Sequence, residues 1–267
     1  MTQAAPPRRP APPPGGSSVT LSESEGIRYL HFGTRWVQGA MRIARPFDLE
    51  LEYQQQMMLP KLFLPRPRRI LQLGLGAAAL TKACRRGLPK ARITVVEIDP
   101  DVVRVARRWF RLPPPDRHLE VVVEDARDFL VRPTTSGAFD WLQVDLYDAA
   151  ARGPVLDDLD FYRGCRAALA SPGVAVFNLF GSRFTPSFSR IDEAFEGRAV
   201  GLPAVDAGNR IVAGFHGPSL DVAYADLHVR ACEVELSDGW PATQWVGALR
   251  RSQRGHAAGR DGARMNL

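Results

Sequence analysis

The amino-acid sequence predicts an α/β protein built on a doubly wound, mostly parallel sheet. Two observations carry this. Between residues 69 and 180, apolar runs of strand length alternate with helix-length amphipathic segments, and parallel neighbours normally require a helical crossover. The first of these strands, RILQL, also runs directly into LGLGAAALTK, a glycine-bearing turn followed by small residues that open a helix.

Taken in order, 69–73 is a strand, 77–86 a helix, RITVVEI (92–98) a strand, DPDVVRVARRWF (99–110) a helix, HLEVVV (118–123) a strand and DARDFL (125–130) a short helix. FDWLQVDL (139–146) is the next strand, followed by a helix around DDLDFYRGCRAALA and the strand VAVFNLF (174–180). Further on, VGLPAV and RIVAGF flank Asp206-Ala207-Gly208-Asn209, a turn sequence suited to an antiparallel hairpin at a sheet edge. Upstream, IRYLHF and WVQGAMR are β-prone runs separated by Gly33-Thr34, which predicts a hairpin, and LELEYQQQMMLPKLF (49–63) predicts a linking helix.

This divides the 267 residues into four parts. Residues 1–18 combine Pro, Gly, Ser and Ala with almost no large apolar side chains and form an arm expected to be disordered, having too little to bury. Residues 19–60 form a small β module with its linking helix, 61–251 the main domain, and 252–267 a Gly- and Arg-rich tail expected to be flexible. A 45% hydrophobic content suffices for one substantial core.

Composition also narrows the function classes. No run of about 18 apolar residues is present, and prolines occupy the N-terminal stretch where a signal peptide needs its apolar segment, so a soluble cytoplasmic protein with no membrane partner is expected. Cys84, Cys165 and Cys232 make no CxxC pair, which argues against a zinc site or a disulfide framework. The net charge of +6 comes from dispersed arginines, with Lys61, Lys82 and Lys90 the only lysines, so specific nucleic-acid binding is not expected.

Three loops converge at the carboxyl ends of the strands, where open α/β sheets bind ligands. Gly74 and Gly76 let the backbone turn and approach a ligand, although a glycine after a strand can serve the turn alone. Glu97 stands 23 positions after Gly74, at the end of the second strand. There a carboxylate can accept from both hydroxyls of a ribose, or simply face solvent at a helix start. Asp125 can cap the following helix or accept from an adenine amino group. Together the three favour an adenosine-containing ligand, and no GxxxxGK[ST] phosphate loop is present. The fourth strand ends in Val144-Asp145-Leu146-Tyr147-Asp148, whose two carboxylates can hold and deprotonate an amine or be ordinary loop acids.

With these residues assembled, the chain resembles the spermidine synthase family of polyamine aminopropyltransferases from about Val19 to Arg250. The family's D-x-x-D…G-P…F/Y-Y pattern matches Asp145, Asp148, Gly153, Pro154 and Tyr162, and its E-I-D stretch matches Glu97-Ile98-Asp99. Its G-D before a helix is similar to Glu124-Asp125, its V-I-Q turn to Val37-Gln38, and its Y-Q-E helix to Tyr53-Gln54-Gln55. The resemblance implies a Rossmann-like sheet of the S-adenosylmethionine-dependent methyltransferase type. It also implies an aminopropyl donor, decarboxylated S-adenosylmethionine, an amine acceptor and no metal, in a homodimer or homotetramer built through the N-terminal β module.

By the same resemblance Glu97 would hold the donor's ribose and Asp125 its adenine, while Gln38, Tyr53 and Gln54 would border the donor and acceptor channel. Asp145 would be the base and Asp148 the anchor of a cationic amine. Two positions depart from the pattern. Ala77 replaces an aspartate that holds the donor's terminal ammonium, and Val205 or Asp206 replaces a tyrosine placed on the diamine. The alternatives these departures raise are a methyltransferase using ordinary S-adenosylmethionine and a homologue that binds adenosyl compounds without turnover.

Overall fold

The computed structural model describes residues 19–34, 36–147, 155–181, 184–205, 207–254 and 263–267. The chain begins with β1 (Val19–Ser24), β2 (Ile27–Phe32) and β3 (Gly39–Arg42), an antiparallel sheet in the order β1-β2-β3. Its tight hairpin is not at Gly33-Thr34. It lies at Glu25-Gly26, whose φ values of 52° and 75° supply the two positive central angles that a twisted two-residue hairpin needs. β2 and β3 do pair, but through a longer connection. The linking segment is likewise two pieces, α1 (Glu52–Gln56) and a 3-10 turn (Leu59–Leu62), because Pro60 has no amide hydrogen to continue one helix.

The main domain then alternates as expected. In chain order come β4 (Arg69–Leu73), α2 (Ala79–Gly87), β5 (Arg92–Glu97), α3 (Pro100–Trp109), β6 (Leu119–Val123), α4 (Ala126–Leu130) and β7 (Phe139–Val144). There follow α5 (Leu159–Ala168), β8 (Leu169–Phe180), α6 (Phe184–Ala194), β9 (Ala199–Gly201) and β10 (Asn209–His216). Asp99, Asp125 and Asp158 start α3, α4 and α5 by accepting from Asp101, Arg127 and Phe161 backbone amides at 2.7, 2.7 and 2.9 Å.

The seven strands are ordered β6-β5-β4-β7-β8-β10-β9. β4 to β8 are parallel, and β10 runs antiparallel to both β8 and β9, closing the edge with the expected hairpin. The order reverses between β4 and β7, which opens a crevice at their carboxyl ends. Strand residues alternate between two core layers. Ile70, Val95 and Trp141 face one with the N-terminal module, and Leu71, Leu142 and Phe177 face the other with α4, α5 and α6.

The sequence reading did not anticipate the remainder. β11 (Asp221–Ala223), α7 (Tyr224–Asp238), α8 (Ala242–Arg254) and β12 (Arg264–Asn266) cover the first layer, with Leu227, Ala231 and Leu249 fully buried. The expectation of a flexible 252–267 tail is corrected at its end. β12 pairs with β11, and Met265 at its centre is fully buried, so an apolar anchor in an otherwise polar stretch fixes the strand. The expected arm, residues 1–18, lies outside the described residues.

Candidate active site

The crevice between β4 and β7 holds a cavity of about 360 Å³, within the size range of small-molecule sites. Its floor begins at Gly74, whose amide donates to Val96 at 2.8 Å and whose φ is +94°. A Cβ there would come within 2.3 Å of the Asp145 carbonyl oxygen, so the residue is glycine both for its backbone angle and because a neighbouring strand end passes so close. Gly76, with φ +50°, also lines the cavity.

Glu97 is buried at the end of β5 and does not face solvent. One carboxylate oxygen accepts from the Leu75 amide at 2.9 Å and the other from the Asp99 amide at 3.0 Å. Burial pushes its pKa up, while those backbone donors oppose the shift. Glu97 thus fixes the glycine loop and still presents a surface to the cavity. Ala77 in the same loop is buried, is absent from the cavity lining and packs on Gly39 of β3.

Asp145 follows β7, and its amide extends the strand ladder to Leu73 at 2.9 Å. Its carboxylate accepts from the Asn178 side-chain amide at 2.8 Å and, more loosely, from the Tyr53 hydroxyl at 3.4 Å. Desolvation raises its pKa above the ordinary aspartate value, and both hydrogen bonds partly offset that rise. Burial first, and the Asp145 charge next, hold the Tyr53 hydroxyl protonated well beyond a normal tyrosine. Gln54 stands behind it, donating to the Tyr53 hydroxyl at 3.3 Å.

The structure brings Gln38, Tyr53, Gly74, Gly76, Glu97 and Asp145 to one cavity. Gln54 is buried outside its lining, in contact with Tyr53. Asp125 is also outside the lining, and its Oδ1 caps α4 by accepting from the Arg127 amide at 2.7 Å. Asp148, Gly153, Pro154 and Asp206 lie outside the described residues, and Val205 is buried away from the cavity. Sequence reasoning missed Asn178, Tyr147 and Asn209, all in the lining, as well as the apolar walls Phe32, Trp36 and Phe180. The available signal was weak: one asparagine inside VAVFNLF and another at the end of the turn before RIVAGF. Among the described residues no three metal-ligating side chains converge.

The fold and site define a Rossmann-like α/β protein of the methyltransferase type, with a partly buried carboxylate on the floor of a largely apolar cavity. The sequence profile of the spermine/spermidine synthase domain matches residues 50–179. The polyamine aminopropyltransferase of Chromobacterium violaceum is 34% identical over 239 residues, covering 88% of this chain and 90% of that protein. The chain therefore belongs to the spermine/spermidine synthase family and is a spermidine synthase-like transferase. Among solved structures, a probable spermidine synthase from Corynebacterium glutamicum superposes with a TM-score of 0.68 at 22% identity, covering 98% of both chains. The human methyltransferase-like protein 13 in complex with SAH gives 0.58 at 22% identity, over 79% of this chain and 96% of that one.

Proposed function

We propose that this chain transfers an aminopropyl group from decarboxylated S-adenosylmethionine to a small-molecule amine, as in polyamine biosynthesis. The observation that carries the reading is the placement of Asp145. It is a carboxylate on the cavity floor, held by two neutral donors, beside walls apolar enough to receive a nucleoside. A neutral amine attacks the carbon next to the sulfonium sulfur, the C–S bond breaks, and the electron pair leaves with neutral methylthioadenosine. The proton lost by the new secondary amine goes to Asp145.

In this reading Glu97 accepts from the ribose hydroxyls, the backbone at Gly74 and Gly76 lies against the donor, and Gln38 and Tyr53 border the channel. Gln54 acts from behind Tyr53, and Asp148 anchors a cationic acceptor. Residue resemblance supports these roles, and for the cavity residues so does their convergence. The same resemblance supports a homodimer or homotetramer through the β1-β2-β3 sheet and a cytoplasmic location. Among the described residues no helix is long and apolar enough to cross a membrane.

One observation favours ordinary S-adenosylmethionine as a second donor. Among the described residues only Glu97 and Asp145 bring carboxylates to the cavity, and in this reading they are taken up by the ribose and the attacking amine, so no further described carboxylate there repels a carboxylated tail. Incubation with each donor and an amine panel separates the readings. Methylthioadenosine supports aminopropyl transfer, S-adenosylhomocysteine identifies methyl transfer, and binding with neither product identifies a non-catalytic homologue.

A further inference from the structure

Asn178 and Asn209 share one face of the sheet at its cavity end. Asn178 on β8 pairs with Ile211 on β10, so Asn209, two residues earlier, is its diagonal neighbour on the same face. Both are buried, with 3% and 9% of their surfaces exposed. The Asn209 side-chain amide donates to the Asn178 carbonyl oxygen at 3.0 Å, and the Asn178 amide nitrogen donates to Asp145 at 2.8 Å. Tyr147 closes the arrangement, its hydroxyl donating to the Asn178 backbone carbonyl at 3.1 Å while its side chain also meets Asn209.

A primary amide has two unlike ends. Turned one way, Asn178 gives Asp145 a donor that favours the ionised carboxylate; turned the other way, it gives an oxygen that repels it. Asn209 has no direct contact with the carboxylate among its hydrogen bonds, yet by donating to the oxygen end of Asn178 it selects the first orientation. We propose that Asn209 is a positioning residue for the transfer reaction, holding Asn178 with its nitrogen toward Asp145 so that the base stays ionised at working pH. This rests on the reading of Asp145 as the base. The described titratable groups facing Asp145 are Tyr53 from α1, Tyr147 from its own segment and Glu97 from the end of β5, and no described lysine or arginine lines the cavity to do this work instead.

The test is the pH profile of kcat/KM for the full chain with decarboxylated S-adenosylmethionine and the best amine of the panel. Asn209→Leu should move the acid limb to higher pH by about one pH unit, the scale of one hydrogen bond to a charged group. Asn209→Asp keeps the volume but accepts where asparagine donates; in protein shown to be folded by its far-UV circular dichroism, it should move the limb in the same direction. In an Asn178→Leu background the Asn209→Leu change should have no further effect on the limb, because its path to Asp145 is gone. Limbs unmoved in both single variants would overturn the proposal, as would a shift that persists without Asn178. Full activity of Asp145→Asn would instead remove the base assignment. In that case, a carboxyl-carbon NMR titration of Asp145 in the unliganded Asn209→Leu protein still decides the coupling: a raised midpoint upholds it and an unchanged one ends it.

Discussion

Gly39 and Ala77 touch across the boundary between the N-terminal sheet and the glycine loop: a Cβ at position 39 would lie 2.6 Å from the Ala77 Cβ. An aspartate at 77 would therefore push a charged group into a dry contact. Ala77→Asp is expected to lower stability by about 2 to 5 kcal/mol, combining overpacking with charge burial, without delivering an ammonium anchor to the cavity. Urea unfolding measures the first outcome. Titration with both donors checks the second, and a folded variant that gained selectivity for the decarboxylated donor would contradict this placement of the loop.

Asp145→Asn keeps the shape of the floor but cannot accept the proton. Turnover should fall by about 10² to 10⁴ while donor affinity changes little. In the unmodified protein the acid limb should lie above the ordinary aspartate range, because desolvation favours the protonated form, and activity should fall as pH drops through that raised value. A limb at or below the ordinary aspartate value would be incompatible with the buried geometry.

For Glu97 two losses should appear together. Glu97→Ala should weaken methylthioadenosine at least about tenfold, from missing charge-assisted hydrogen bonds, and should also lower the melting temperature, because the Leu75 and Asp99 amides lose their acceptor. Calorimetry with a parallel thermal scan reads both. Unchanged affinity in a folded variant would take Glu97 out of the site.

Lys82 is buried on α2, its ammonium donating to the Phe110 carbonyl at 2.8 Å, and burial lowers its pKa to about 7. Above that value the folded chain has released a proton that the unfolded chain keeps up to the ordinary lysine range, so this group makes stability rise with pH in that window. Lys82→Met should remove that part of the slope. Its stability advantage over the parent should shrink by on the order of 2 to 3 kcal/mol between pH 7 and 9.5. Parallel denaturant titrations at the two pH values would show a constant difference if the lysine were charged throughout.

How legible each part was follows from the range of the interaction that fixes it. The strands around Gly74, Glu97 and Asp145 are apolar runs bounded by turns, and their order of appearance implies the crevice. Glu25-Gly26 escaped notice because a glutamate at positive φ is not a turn signature, whereas Gly33-Thr34 looked like one. The burial of Leu227 and Ala231 on α7 and of Met265 in β12 depends on partners distant in sequence. Asn178 and Asn209 are 31 positions apart; the β7-β8 register sets Asn178 beside Asp145, and only the β8-β10 register then sets Asn209 beside Asn178.

Phe32 and Gln38 reach the cavity from the N-terminal sheet, Tyr53 from α1, and Gly74, Glu97 and Asp145 from the strand ends of the main sheet. A small molecule seated there touches parts of the chain that must first be docked on one another, so it binds the assembled form and not the loosened one. At about 100 times its dissociation constant such a ligand adds about 2.7 kcal/mol against opening. If the proposed function holds, the survival of this chain against proteolysis should follow the supply of an adenosyl ligand, so that a cell short of that metabolite would also hold less of this protein.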